Sequence, residues 1–149
     1  MSADTAPSTP KLYSPRLLAL SAELANFPFD ETLPLVSEAR SRTCGSTITL
    51  GIAIDNRGAV SRIGMQVAAC AVGQSSAAIL ARGIDGVDEA ALNGTVEAIN
   101  AWLKGSGDMP EWPEFDALAA ARSHPGRHGA LLLPWKAAMQ ALSSQSPSG

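Results

Sequence analysis

The segment 47–67 constrains the fold most, because it has the pattern of a single β-hairpin. Over 47–55, isoleucine and leucine alternate with threonine, glycine and alanine, which is typical of a strand with one buried face. The sequence DNRG at 55–58 supplies turn residues, and apolar residues alternate again over 63–67. Two strands joined by a short turn pair antiparallel, so we expect at least one antiparallel ladder.

A bulge and a third strand are expected beside this hairpin. Val60 is out of phase with the apolar residues that follow it, which predicts a β-bulge near Ser61 and Arg62. A lone hairpin is only marginally stable in water, and the more polar stretch LVSEARSRT at 35–43 precedes it. We therefore expect a small sheet of three antiparallel strands.

Helical periodicity dominates the rest of the chain. The pattern predicts helices over 14–27, 70–84, 86–105, 114–122 and 130–142. Because strands and helices are segregated along the chain, the fold class is α+β, with the helices packed on one face of the sheet. A chain of 149 residues suits one domain, which we assign to 11–142, with flexible tails at 1–10 and 143–149.

Charge and hydropathy exclude several classes of protein. The net charge of -3 provides no basic face for nucleic acid. No run of about 18 apolar residues is present, so we expect no membrane span. The first ten residues lack the basic and apolar regions of a secretory signal, so we expect a cytoplasmic protein. A lasting structural disulfide is not expected in that reducing compartment.

The chain has two cysteines, Cys44 and Cys70, and the hairpin brings them together. A turn centred on Arg57 places them opposite each other at the open end of the hairpin, give or take one bulged residue. Opposed residues have Cβ atoms about 4.5–5.5 Å apart, which suits two ligands of one metal and is close to disulfide distance. Cys70 also precedes a predicted helix, whose first N–H groups stabilise a thiolate.

Three interpretations of the cysteine pair remain open at this point. The cysteines are two small core residues, two metal ligands or a thiol–disulfide switch, although no C-x-x-C motif is present. A complete metal site has four ligands, usually three or four of them from protein. His128 is a candidate third ligand, and its alternative role is that of an exposed loop histidine. Ser46 is better suited to a hydrogen bond in the turn.

No catalytic constellation accompanies the cysteines. The sequence has no recognisable Ser/His/Asp set, no glycine-rich phosphate loop and no carboxylate pair with a clear acid–base role. The tryptophans at 102, 112 and 135 have the character of packing anchors. We therefore predict a protein that is not an enzyme.

The segments around both cysteines resemble a known family. CGSTITLGIAIDNRGAVSRIGMQVAACAVGQSSAAILA at 44–81 and FDALAAARSHPGRHGALLLPWKAA at 115–138 are similar to the iron–sulfur cluster assembly scaffolds. The resemblance is to the IscU, SufU and NifU N-terminal group. It rests on a Cys-Gly pair before a hairpin, a Cys-Ala pair followed by serines at a helix start, and a C-terminal Trp-Lys-Ala. It implies a SufE/NifU-like fold.

The resemblance also implies a site and partners. Cys44 and Cys70 would bind iron or a [2Fe–2S] cluster, with zinc as another metal, whereas His128 lies near the family's third ligand position but out of register. The protein would hold the iron or the cluster and hand it to recipient proteins. A cysteine desulfurase or other iron–sulfur assembly proteins would be its partners.

Two positions depart from the family pattern. Ser46 stands where the family has an aspartate after Cys-Gly, and Ala130 stands where it has a third cysteine. Because each chain then has two thiolates, a homodimer would supply the four sulfur ligands of a cluster. The alternative is a metal-free interaction or regulatory module of the same assembly system.

Overall fold

The sheet has three antiparallel strands that lie side by side in chain order, as the sequence predicts, and the α-helices cover one of its faces. The computed structural model describes residues 12–42 and 45–144. Its strands are β1 (Leu35–Arg40), β2 (Thr47–Ile54) and β3 (Val60–Ala68). Its α-helices are α1 (Pro15–Glu23), α2 (Ala71–Gly83), α3 (Glu89–Leu103) and α4 (His128–Ser143). Short 3-10 helices occupy Leu24–Asn26, Phe115–Ser123 and Pro125–Arg127.

The β2–β3 ladder changes register at a bulge. Ile54 pairs with Val60, whereas Ala53 pairs with Arg62, so Ser61 is the extra residue on β3. This confirms the bulge that the phase of Val60 predicts. Beyond it the ladder continues in a single register to the other end of the hairpin.

The connection from α1 to β1 crosses the sheet on the face opposite the helices. The main-chain N–H of Met65 donates to Phe27 O over 2.8 Å, next to a bridge between Pro28 and Met65. A Cβ atom on Gly64 would overlap the carbonyl oxygen of Pro28. Glycine is therefore required at this point because another stretch of main chain lies directly on β3.

α2 is buried along most of its length, and α1 packs beside it. Nine of the thirteen residues of α2 are buried, and most of them are small, which lets neighbouring elements approach closely. Ser75 Oγ donates to Leu17 O over 2.7 Å, and further along Arg82 pairs with Glu23 at 3.0 Å. These two contacts show that α1 and α2 run in the same direction and begin at the same end of the molecule.

Polar side chains cap two of the helices. Ser14 Oγ accepts the N–H of Leu17 at the start of α1. Asp88 is the N-cap of α3, and its carboxylate accepts the N–H of Ala91. Each bond satisfies an N–H group that has no partner within its own helix.

The C-terminal third differs in detail from the sequence expectation. The segment Phe115–Ser123 is a 3-10 helix. α4 begins at His128, two residues earlier than predicted, so Pro134 lies inside the helix and removes one main-chain bond, to Ala130 O. α4 also continues through Ser143, the first residue assigned to the C-terminal tail. The rest of both predicted tails, apart from Ser144, lies outside the described residues.

The three tryptophans are packing anchors, as predicted. Trp135 and Phe115 are fully buried, with ring centroids 5.8 Å apart. Trp112 contacts Trp135 at 4.8 Å, and Trp102 contacts Phe115 at 5.4 Å, all edge to face. The indole N–H of Trp112 donates to Ile79 O over 2.9 Å, which ties this cluster to α2.

Among the described residues, no helix has the length and apolar character needed to cross a bilayer.

Candidate functional site

The candidate site lies at one corner of the molecule, where β3 ends and α2 begins. The last pair of the β2–β3 ladder is Thr47 with Ala68, and Cys70 follows two residues later as the N-cap of α2. Cys70 is half-buried, and its thiol makes no capping hydrogen bond. Its carbonyl oxygen accepts the first helical bond, from Gln74 N at 2.9 Å. The thiol is thus held at the positive end of a thirteen-residue helix.

Cys44 lies outside the described residues, but the turn that contains it is closed at both ends by main-chain bonds. Ser41 N donates to Ser46 O over 2.8 Å, and Gly45 N donates to Ser41 O over 3.1 Å. Gly45 has a φ of 72°, a left-handed conformation that favours glycine. The turn joins β1 to β2 at the end of the sheet where Cys70 lies.

The bulge alters the expected pairing of the two cysteines. Because Ser61 is an extra residue on β3, the register beyond it would place Cys70 opposite Gly45, the residue after Cys44. The register expected from a turn centred on Arg57, which places the cysteines directly opposite each other, holds only near that turn. That the two thiols lie close together remains a prediction.

The third cysteine position implied by the resemblance is in the same corner. Ala130 is fully buried near the start of α4, against the first turn of α2. A Cβ on Gly73 would lie 3.4 Å from the Cβ of Ala130 and 2.7 Å from that of Ala69. The β3–α2 connection, α2 and α4 therefore meet around Gly73 with no room for a side chain. No role was predicted for Gly73. Its signal was a glycine among small residues three positions after Cys70.

Ser76 connects α2 and α4 through a buried hydrogen-bond chain. The indole N–H of Trp135 donates to Ser76 Oγ over 2.8 Å, and the Ser76 hydroxyl donates to Leu131 O over 2.7 Å. Both side chains are fully buried, so each bond satisfies a group that water cannot reach. The serine that the family pattern places after the second cysteine thus fixes α4 beside the site.

His128 is the first residue of α4, and one of its ring nitrogens is engaged. Its Nε2 lies 3.1 Å from Ala121 O and 2.9 Å from Arg122 O. Two carbonyl oxygens can accept only from a protonated nitrogen, so Nε2 carries the proton and donates to both. A metal would therefore have to use Nδ1 in this conformation. The role of His128 as a ligand remains a prediction.

The remaining candidate, Ser46, is buried at the start of β2. Its main-chain carbonyl oxygen accepts the bond that closes the β1–β2 turn, and the hydrogen-bonding role expected of its side chain stays a prediction. Within residues 12–42 and 45–144, no three His, Cys, Asp or Glu side chains are grouped closely enough to hold a metal. The described part of the corner therefore offers one thiol and no carboxylate or imidazole cluster.

Comparison with known proteins finds likeness in structure. No protein-family model matches the chain, and no curated protein sequence matches it. The solved structure of a nitrogen-fixing NifU-like protein (N-terminal) from Brucella abortus has a TM-score of 0.79 and 26% identity. That match covers 91% of this chain and 96% of the other.

Two further solved structures share the fold. A candidate iron–sulfur cluster assembly scaffold protein for the SUF system (SufU), from Fervidobacterium islandicum AW-1, has a TM-score of 0.79 and 22% identity. The match covers 88% of this chain and 96% of that one. A hypothetical protein matches with a TM-score of 0.66 and 17% identity, over 86% of this chain and 97% of that one. These matches confirm the α+β fold and the resemblance to NifU-like and SufU scaffold proteins.

Proposed function

We propose that this protein is a non-catalytic scaffold of iron–sulfur cluster assembly in the cytoplasm. Cys44 and Cys70 would hold iron or a [2Fe–2S] cluster, which the protein passes to recipient proteins. The cluster is its cargo, and a cysteine desulfurase or other assembly proteins would be its partners. Zinc is a second metal that the same thiolates would accept.

One observation carries the proposal: Cys70 is the N-cap residue of α2, with no capping bond from its side chain, in a fold shared with a NifU-like protein over 91% of the chain. Its thiol is half-buried and forms no capping bond, so it is available to a metal. The N–H groups of the first turn favour the negative charge that a thiolate ligand carries. The rigid junction around Gly73 holds this position, which a binding site requires.

The test is anaerobic reconstitution of the full chain with ferric iron and sulfide. We expect visible absorbance typical of an iron–sulfur cluster, and iron and acid-labile sulfide in equal amounts after desalting. Cys44→Ser and Cys70→Ser should each abolish the absorbance, because a hydroxyl is a much poorer iron ligand than a thiolate. Ser61→Ala, at the bulge near the far end of the ladder, is the control and should retain it.

Retained iron in the two cysteine variants would contradict the assignment of these ligands. Absence of iron from the parent protein, both as purified without oxygen and after reconstitution, would reject cluster binding altogether.

A second candidate is a metal-free module that docks on assembly proteins or regulates them. It is favoured by the burial of Ala130, a side chain without a donor atom, at the position where the family has a cysteine. The measurement is binding of metal-free protein to a cysteine desulfurase by calorimetry. Equal affinity for the parent and for a variant with both cysteines replaced by serine, together with no iron in the parent, would establish this alternative.

A further inference from the structure

One edge of the sheet has no main-chain partner within residues 12–42 and 45–144. The outer edge of β3 is covered by other parts of the chain, because Met65 N donates to Phe27 O over 2.8 Å. Near the bulge, Val60 N donates to Val87 O over 2.9 Å. β1 has β2 on one side, and no described segment pairs with its other side. A strand edge of this kind is a template on which another strand can pair.

Alternate residues of β1 direct their main-chain groups out of the sheet. Ser41 N donates to Ser46 O, and these two residues continue the β1–β2 register, so they form a hydrogen-bonded pair. Because such pairs alternate along an antiparallel ladder, the odd-numbered residues of β1 bond to β2. Val36, Glu38 and Arg40 therefore present their N–H and C=O groups outward, and we call these three residues the β1 edge. Their side chains are exposed, and those of Glu38 and Arg40 form no ion pair with any described residue.

The β1 edge is held extended by the helix layer behind it. Ser37 is buried between two edge residues, and its hydroxyl donates to Ala137 O in α4 over 2.7 Å. A strand that is already fixed in an extended conformation loses little further entropy when it pairs with another strand. The β1 edge is thus preorganised for pairing.

The charges of the β1 edge are complementary to a second copy of the same edge. When two copies pair antiparallel about a two-fold axis, the same residues face each other in reverse order. An axis at Ala39 places Glu38 of each copy opposite Arg40 of the other, on the same face of the joined sheets. Opposite charges that face each other across two strands stabilise the pair.

The neighbouring registers are less favourable. An axis at Glu38 would place the two copies of this glutamate opposite each other, and an axis at Arg40 would do the same with the two arginines. Like charges directly opposed destabilise a strand pair. An axis at Ser37 would place Pro34 opposite Arg40, and proline has no N–H group to donate. The sequence of β1 therefore favours a single register.

We propose that the β1 edges of two copies of this chain pair antiparallel about a two-fold axis at Ala39, which joins the two three-stranded sheets into one continuous sheet. The β3 strands of the two copies would then be separated by five strand spacings, or about 24 Å. Cys70, which follows β3, would therefore stay in a separate corner in each copy. The pairing goes beyond the proposed function and does not depend on it.

The first measurement is sedimentation velocity of the full chain over a range of concentrations. One strand pair buries less surface than the roughly 1,200 Å² of a stable complex, so we expect a dissociation constant between about 10 µM and about 1 mM. Amide hydrogen exchange at Glu38 and Arg40 should slow as the dimer forms, because their N–H groups become bonded. Dimerisation without slower exchange at these two residues would place the interface elsewhere and overturn the proposal.

Charge reversal tests the register. Glu38→Arg and Arg40→Glu each oppose like charges in the self-paired edge, and each should weaken dimerisation by about 5-fold or more. An equimolar mixture of these two variants should dimerise again, because one edge is then wholly positive and the other wholly negative. This recovery also shows that both variants are folded. Arg57→Glu, in the β2–β3 turn, makes the same change in net charge and is the matched control, which should dimerise like the parent.

Three results would overturn the proposal. They are a parent protein that stays monomeric throughout this concentration range, an Arg40→Glu variant that dimerises as well as the parent, and a mixture of the two variants that does not associate. None of these results bears on iron binding, which the reconstitution described above tests separately.

Discussion

Replacing Gly73 with alanine should destabilise the protein, although alanine is the better helix former. In an unobstructed helix this change gains about 0.5–1 kcal/mol, because glycine loses more conformational entropy on folding. At Gly73 the new Cβ would lie 2.7 Å from the Cβ of Ala69, closer than two carbon atoms pack, and 3.4 Å from that of Ala130. Overpacking of this kind costs about 1–3 kcal/mol. The balance is a net loss of about 1 kcal/mol, within a range of about 0–2.5 kcal/mol.

Gly94 provides the matched control. It also lies inside a helix, α3, but a Cβ added there would meet nothing within 4 Å. Gly94→Ala should therefore stabilise the protein by about 0.5–1 kcal/mol. The two variants should differ by about 1–3 kcal/mol, which is the overpacking energy at Gly73 alone because the change in helix propensity is common to both.

Urea unfolding at equilibrium measures both effects. The midpoint should fall for Gly73→Ala and rise for Gly94→Ala, with the slope m unchanged, because the surface exposed on unfolding is the same. Adding Ala69→Gly should restore much of the stability of Gly73→Ala, since it removes the closest contact. If Gly73→Ala proved as stable as Gly94→Ala, the close junction at the candidate site would be refuted.

Three further changes probe the hydrogen bonds, the charges and the site. Ser76→Ala should lower the free energy of unfolding in urea by about 1–3 kcal/mol, because the buried indole N–H of Trp135 loses its acceptor. Trp135→Phe should then cost less in the Ser76→Ala background than it does in the parent protein. Main-chain N–H bonds from Ala59 and Arg57 lower the pKa of Asp55 below its ordinary value of 3.8. The Asp55 carboxylate therefore stabilises the fold above pH 3.8, and this stabilisation is lost as the pH falls below that value. Asp55→Asn, which retains an acceptor oxygen, should flatten this part of the acid unfolding profile. An unchanged profile would contradict the stabilising role of the Asp55 carboxylate. Ala130→Cys adds a third thiol in the corner and should raise the amount of iron that the protein retains against a chelator. The larger side chain should lower the free energy of unfolding by about 1 kcal/mol. Unchanged iron retention would argue against a site beside Gly73.

Much of the fold follows from local patterns. The alternation over 47–67 and the phase break at Val60 each depend on a few neighbouring residues, and the structure agrees with both. The exact extent of α4 was not predicted. Its first turn is buried against neighbouring elements, and that burial outweighs local helix propensity.

The candidate site was likewise predicted only in part from the sequence. The sequence by itself identified the two cysteines, and the alanine and serine that stand where the resemblance implies further ligands. It also placed Cys70 at the start of a helix, because capping depends on neighbouring residues.

Only the tertiary structure decided how that corner is built. Contact between the start of α2 and α4 places Gly73 beside Ala130, with 3.4 Å between the Ala130 Cβ and a Cβ added to Gly73. The same structure engages one nitrogen of His128 with the main-chain carbonyl oxygens of Ala121 and Arg122. These features arise where elements distant in sequence meet. Their close packing is determined by the shapes of all the partners at once, which no local pattern encodes.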